Sequence, residues 1–215
     1  MASFSSRLRL RCAGILQLAE RNGERCGAPV LIAGLILGVG VVELGCGPLG
    51  QTSGFSLELL ILLVLQLAGP GLVSLIAMAL LLPSWLDACQ TMDRSVDPSP
   101  AASGLVGALL LLFFLTAALT GGVLASPRGD PLAELIDVLG ELVVSDLLRA
   151  TLRSAIFLAV LCSWCQRQGW RRLQRGLAPA LVSSDLMVEG LMVLFGLKLF
   201  WVLVIDSIRL SFSGQ

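Results

Sequence analysis

The stretch SDLLRATLRSAIF, Ser145 to Phe157, opens an apolar segment with an acid and two bases: Asp146, Arg149 and Arg153. A charge near a bilayer centre costs roughly 2.5–3.5 kcal/mol on insertion scales, so it persists only with a partner or a wet surrounding. Asp146 lies three residues from Arg149 and seven from Arg153, so each pair shares a helix face. Two kinds of chemistry fit: local ion pairing, with Arg153 free to snorkel toward the nearer interface, or the lining of a wet cavity or lipid headgroup path. Lys198, in LFGLKLFWVL, has no acid within four residues of its own segment. Its expected partner therefore comes from another helix, with Glu43, Glu58 and Asp146 as candidates.

The elements that position these groups are transmembrane helices. Of the 215 residues, 56% are hydrophobic and 14% charged, with no histidine or tyrosine, and the mean hydropathy is +0.88. A soluble domain carries about 25% charged residues. The expected fold is all-α: one polytopic membrane domain, 1–215, with five spans at about 29–46, 55–82, 104–125, 146–165 and 185–205. Each reaches or approaches the ~20 residues a bilayer requires, and helix is the form because lipid offers the backbone no hydrogen bonds. The second span is longer than needed and carries Gly69-Pro70-Gly71, where proline removes a donor and kinks the helix.

Two further pieces are amphipathic. Residues 1–27 place Phe4, Leu8, Cys12, Ile15 and Ala19 on one face beside Arg7, Arg9 and Arg11, which predicts an interfacial helix; a transit peptide is the competing reading. In DPLAELIDVLGELVVSD, Leu132, Leu135, Ile136, Leu139, Leu142 and Val143 recur at helical spacing among Glu134, Asp137 and Glu141, with Pro131 suited to its first turn. Basic residues gather at the amino terminus (Arg7 to Arg25), near Arg94 and at Arg167, Arg171, Arg172 and Arg175, while Asp130 to Glu141 form an acidic loop. This bias predicts a cytoplasmic amino terminus and an outer carboxyl terminus.

Asp185 and Glu189 are read as first-turn acids complementing a helix dipole. Gly107, Gly121, Gly122, Gly190 and Gly196 suit close helix packing. The six cysteines lie in or beside apolar segments and act as small hydrophobes. Cys162-Ser-Trp-Cys165 has redox spacing without the βαβ setting that gives it meaning. There is no histidine base, no phosphate loop and no metal cluster, so neither an enzyme, a cofactor nor a metal is expected. Zero net charge implies no nucleic-acid partner.

The carboxyl-terminal half resembles the MlaE-type permease family of MCE-associated ABC transporters. Asp146, Ser154, Phe157 and Gly169 match its pattern, with Arg153 in place of a lysine; Gly69-Pro70 resembles its Gly-Pro helix, and Thr91-Met92 and Val96-Asp97-Pro98 the ends of the following loop. In Gly196-Leu197-Lys198 the chain has a lysine where the family has an aspartate. The loop that carries the ATPase-coupling helix is reduced to ACQTMDRSVDP, whose residual coupling residues would be Asp87, Met92, Asp93 and Arg94.

The resemblance implies a permease subunit that moves phospholipid between membranes. Its implied partners are a cytoplasmic ABC ATPase, an MCE-domain lipid-binding protein, a second permease subunit (as homo- or heterodimer) and membrane phospholipid. A bacterial inner membrane is the expected location, and a plastid envelope also fits. Asp146, Arg149, Arg153, Lys198 and Glu58 would then be the lipid-path candidates. The shortened loop and the inverted charge at Lys198 fit a second reading, a non-transporting assembly or scaffold subunit derived from such a permease.

Overall fold

The computed structural model describes residues 2–47, 53–91, 99–126 and 144–206. They are helical almost throughout: α1 (Ala2–Cys46), α2 (Ser53–Leu62), a π-helical turn (Leu63–Ala68), α3 (Gly69–Thr91), α4 (Ser99–Ala125), α5 (Val144–Leu173), α6 (Pro179–Phe200) and a second π segment (Trp201–Asp206). Five of the helices are long and apolar enough to cross a membrane, over Ala13–Cys46, Gly69–Cys89, Pro100–Ala125, Val144–Leu173 and Pro179–Val204. The expected outer helix at 131–143 and the coupling residues Met92, Asp93 and Arg94 lie outside the described residues.

α1 departs from expectation. It passes Pro29 without a break, so the interfacial piece and the first span are one 45-residue helix, about 67 Å long. Proline costs the bond to the Arg25 carbonyl, but Cys26 and Val30 on either side are fully buried in the core and hold the helix line. The amphipathic face read in the sequence continues onto the bundle: Ile15 packs partly against the core and Ala19 is buried in it.

α4 is the centre of the bundle, touching α1, α2, α3 and α5. α1 and α4 run parallel and meet backbone to backbone. A β-carbon added at Gly34 would sit 2.5 Å from the Phe114 carbonyl oxygen, and one at Gly38 2.8 Å from the Ala118 carbonyl carbon and 2.9 Å from the Gly122 nitrogen. Gly121 faces the Leu35 carbonyl in return, and Gly122 takes the Leu57 and Leu60 side chains. Between helices in lipid, such close approach is a principal source of attraction, because lipid tails are as apolar as the side chains. Gly34-x-x-x-Gly38 is the sequence signature of such an approach. Gly107 and Gly104 receive α5 in the same manner, antiparallel, through Ser154 and Ala155, and Gly190 receives Met78. Among the described residues nothing lies within 4 Å of a β-carbon added at Gly196, which is exposed.

Hence Gly38→Ala is expected to destabilise the protein by about 1–3 kcal/mol, as over-packing does. Gly196→Ala is expected to be neutral or stabilising by up to about 1 kcal/mol, because alanine is the better helix former. Thermal unfolding in one detergent compares the two; equal melting points would contradict the backbone contact at Gly38.

Candidate functional site

The site begins with an absent hydrogen atom. Pro70 has no N–H, so the Gln66 carbonyl four residues earlier has no α-helical partner. The chain widens into the π turn Leu63–Ala68, where the Gly69 N–H reaches back to the Val64 carbonyl. Only glycine fits there, since a β-carbon would run into that carbonyl and lie 3.0 Å from Leu111 Cδ1. The expected kink at Gly69-Pro70 is thus a change of helical register.

α5 crosses beside this break and supplies the donor. Arg153 Nη1 donates to the Gln66 carbonyl oxygen at 3.0 Å, and Arg153 is only 9% exposed. Its guanidinium lies over the Trp201 ring, 5.1 Å from the centroid, and Trp201 stands edge-on to Phe157 at 6.1 Å and 81°. The next residue, Ser154, donates to the Gly107 carbonyl at 2.8 Å in a fully buried setting. One turn of α5 therefore holds the broken second span, α4 and the end of α6 together. Arg153 also joins both π segments of the described chain, one through Gln66 and one through Trp201.

The sequence-derived candidates sort clearly around this turn. Asp146 pairs with Arg149 at 3.7 Å in an exposed i,i+3 bridge, of a kind that contributes little in stability. Lys198, half-buried and one turn before Trp201 on α6, lies close enough to Arg153 to feel its charge. Arg149 and Arg153 lie one turn apart on α5, with Asp146 beside Arg149, and Asp206 ends the π segment that begins at Trp201. Glu43 and Glu58 are exposed on α1 and α2, and α6 touches neither of those helices, so the structure does not bring them to Lys198. The surface is open here, because α6 is the least buried of the five long helices.

The opposite end holds a second charged cluster. Arg172 bridges Asp185 at 3.4 Å and makes a closer pair with Glu189. This corrects the reading of both acids as dipole partners: α6 starts at Pro179, its first turn carries no acid, and both groups face α5. The connection is short because α5 ends in a Schellman turn, with Gly176 at φ 76°, its N–H on the Leu173 carbonyl at 3.0 Å and that of Leu177 on the Arg172 carbonyl at 3.4 Å. Asp87 lies near this end on the last turns of α3, close to Leu86, which fills the space over Gly169. Cys162 and Cys165 are fully buried and reduced. Among the described residues no group of three metal-ligating side chains converges.

Trp201 and the Gln66 carbonyl were missed in the sequence, although both signals were present. Counting four residues back from Pro70 finds Gln66, and Lys198-x-x-Trp201 places two residues on one α6 face.

If the missing proline N–H is what Arg153 replaces, the two sites are coupled. Arg153→Met is expected to cost about 1.5–3 kcal/mol, the range for a hydrogen bond to a charged donor. In a Pro70→Ala background, where an N–H is restored, it is expected to cost about 1 kcal/mol less. A double-mutant cycle by thermal or denaturant unfolding measures this, and an unchanged cost would refute the coupling.

Comparison with protein families, with curated proteins and with solved structures finds no match.

Proposed function

We propose that the chain is a membrane subunit of an ABC-type system that moves phospholipid between membranes. The observation supporting this reading is the placement of basic residues within apolar spans, Arg153 beside the break in the second span and Lys198 on α6, the least buried of the five long helices. Cations within apolar spans mark substrate paths by default, and a phosphate-bearing headgroup with an apolar tail matches both halves of that surface. In this reading the Arg167–Arg175 end is cytoplasmic, as the basic bias requires, and the Asp146 end opens to the outer side of a bacterial inner membrane. The partners are an ABC ATPase, an MCE-domain protein and a second permease subunit.

A different observation favours the assembly reading. Arg153 already has structural work, a carbonyl on one side and an indole on the other, so its burial is accounted for without a transported headgroup.

Gentle purification from native membranes, followed by mass spectrometry and an ATP-dependent lipid-transfer assay, separates the two. Transport predicts co-purifying ATPase and MCE-domain protein, with transfer that stops without ATP. Arrival with another membrane complex and no ATPase would leave the assembly reading standing and remove the other.

A further inference from the structure

We propose that the exposed face of α5, at its Arg167–Arg171 end, holds anionic phospholipid of the adjoining leaflet. The phosphate lies against the two guanidinium groups and the acyl chains run along Val160 and Ile156. The inference rests on the bundle crossing a membrane and not on transport; a subunit with a purely assembling role would hold the same lipid.

Leu152, Ile156, Val160, Trp164, Arg167 and Arg171 follow one another three or four residues apart, so they share one face of the helix. All six are exposed. Along that face the chemistry changes in the order of a lipid leaflet. At 1.5 Å per residue, the apolar part from Leu152 to Trp164 is about 18 Å long, close to the ~15 Å of one leaflet's hydrocarbon. Trp164 has the amphipathic ring that settles at the membrane–water boundary. Arg167 and Arg171 follow about 5 and 10 Å further on, and helical side chains lean toward the amino terminus, here back toward the headgroups.

The cationic end of this face carries no counter-charge. Arg172, the next residue, takes Asp185 and Glu189 on α6. Among the described residues, the side chains of Arg167 and Arg171 make no ion pair or hydrogen bond. Asp87 on α3 pairs with neither, and Glu20 and Glu24 stand on α1, which α5 does not touch. The helix dipole accounts for bases in the last turn, Arg171 and Arg172, but Arg167 lies before it. Two like charges four residues apart repel, and a phosphate bound to both removes that repulsion through the paired N–H groups that a guanidinium presents. A zwitterionic headgroup brings its own cation into the same space, so the face favours a lipid of net negative charge, as basic residues at a membrane surface do.

Both arginines are exposed, so their replacement leaves the fold intact, which equal melting temperatures check. Delipidated protein in detergent is titrated with phosphatidylglycerol, phosphatidylcholine and inorganic phosphate, with bound lipid read by native mass spectrometry. One basic group beside anionic lipid contributes about fivefold in affinity. Phosphatidylglycerol is therefore expected to bind about fivefold more weakly to Arg167→Gln and to Arg171→Gln, and about 25-fold more weakly to the double variant. Phosphatidylcholine binding should change in none of them. The double variant Arg167→Lys with Arg171→Lys keeps the charge and should keep the preference. Arg149→Gln, exposed at the opposite end of α5, should match the wild type. Equal affinity for the two lipids, an unaffected double Gln variant, or the same loss in Arg149→Gln would overturn the site. Displacement of the lipid by millimolar inorganic phosphate would assign the arginines to the free ion and overturn the lipid proposal as well.

Discussion

In a medium without water, each backbone polar group must find its partner inside the protein. Pro70 breaks that rule at the middle of the second span, and much of the bundle's arrangement on one side answers the breach. The π turn absorbs the extra residue, Gly69 makes room for the wider turn, and Arg153 brings a donor from another helix to the Gln66 carbonyl. Once Arg153 is committed there, Ser154 and Phe157 fall where α4 and α6 can meet them. The buried arginine is therefore explained first by the backbone it serves, and its charge is the second fact about it. That charge must still be accommodated, and the Trp201 face provides a polarisable surface for it.

Helix class and span number were legible because hydropathy over ~20 residues is a strong signal, and the kink was legible because proline chemistry is local. The α1–α4 seam was less so. Gly34 and Gly38 looked like ordinary span residues until the Phe114 and Ala118 carbonyls were found against them, and contact between helices far apart in sequence leaves no local trace. Asp185 and Glu189 were misread for a related reason. Their role depends on where α6 begins, and helix boundaries are the least certain part of a sequence reading. Lys198 shows the reverse case: its place in an apolar span was visible, but two of the acids proposed as its partners, Glu43 and Glu58, sit on helices that α6 never touches, and the third, Asp146, pairs with Arg149.

The two charged ends of the α5–α6 pair differ in physical character. At the Gly176 turn, Arg172 meets two acids and the charges nearly cancel, so this end acts as a fastening. At the other end Arg149 and Asp146 make only a loose, exposed pair, and the contact is carried by Trp201 against Arg153 and Phe157. One end is thus fastened by ion pairs and the other by ring packing, at the point where α6 continues into a π segment through Trp201.

The glycine seam between α1 and α4 has a consequence for biogenesis. α1 is made before α4, yet the surface it fits most closely belongs to α4, which is completed some 80 residues later in the chain. α1 therefore enters the membrane before its partner exists, with Gly34 and Gly38 facing lipid or a temporary neighbour. Its final position can be reached only after the second span has been threaded and bent at Gly69-Pro70. A contact of such long sequence separation closes late, so a ribosome stalled before Ala125 would leave a nascent chain in which α1 is inserted but not yet docked.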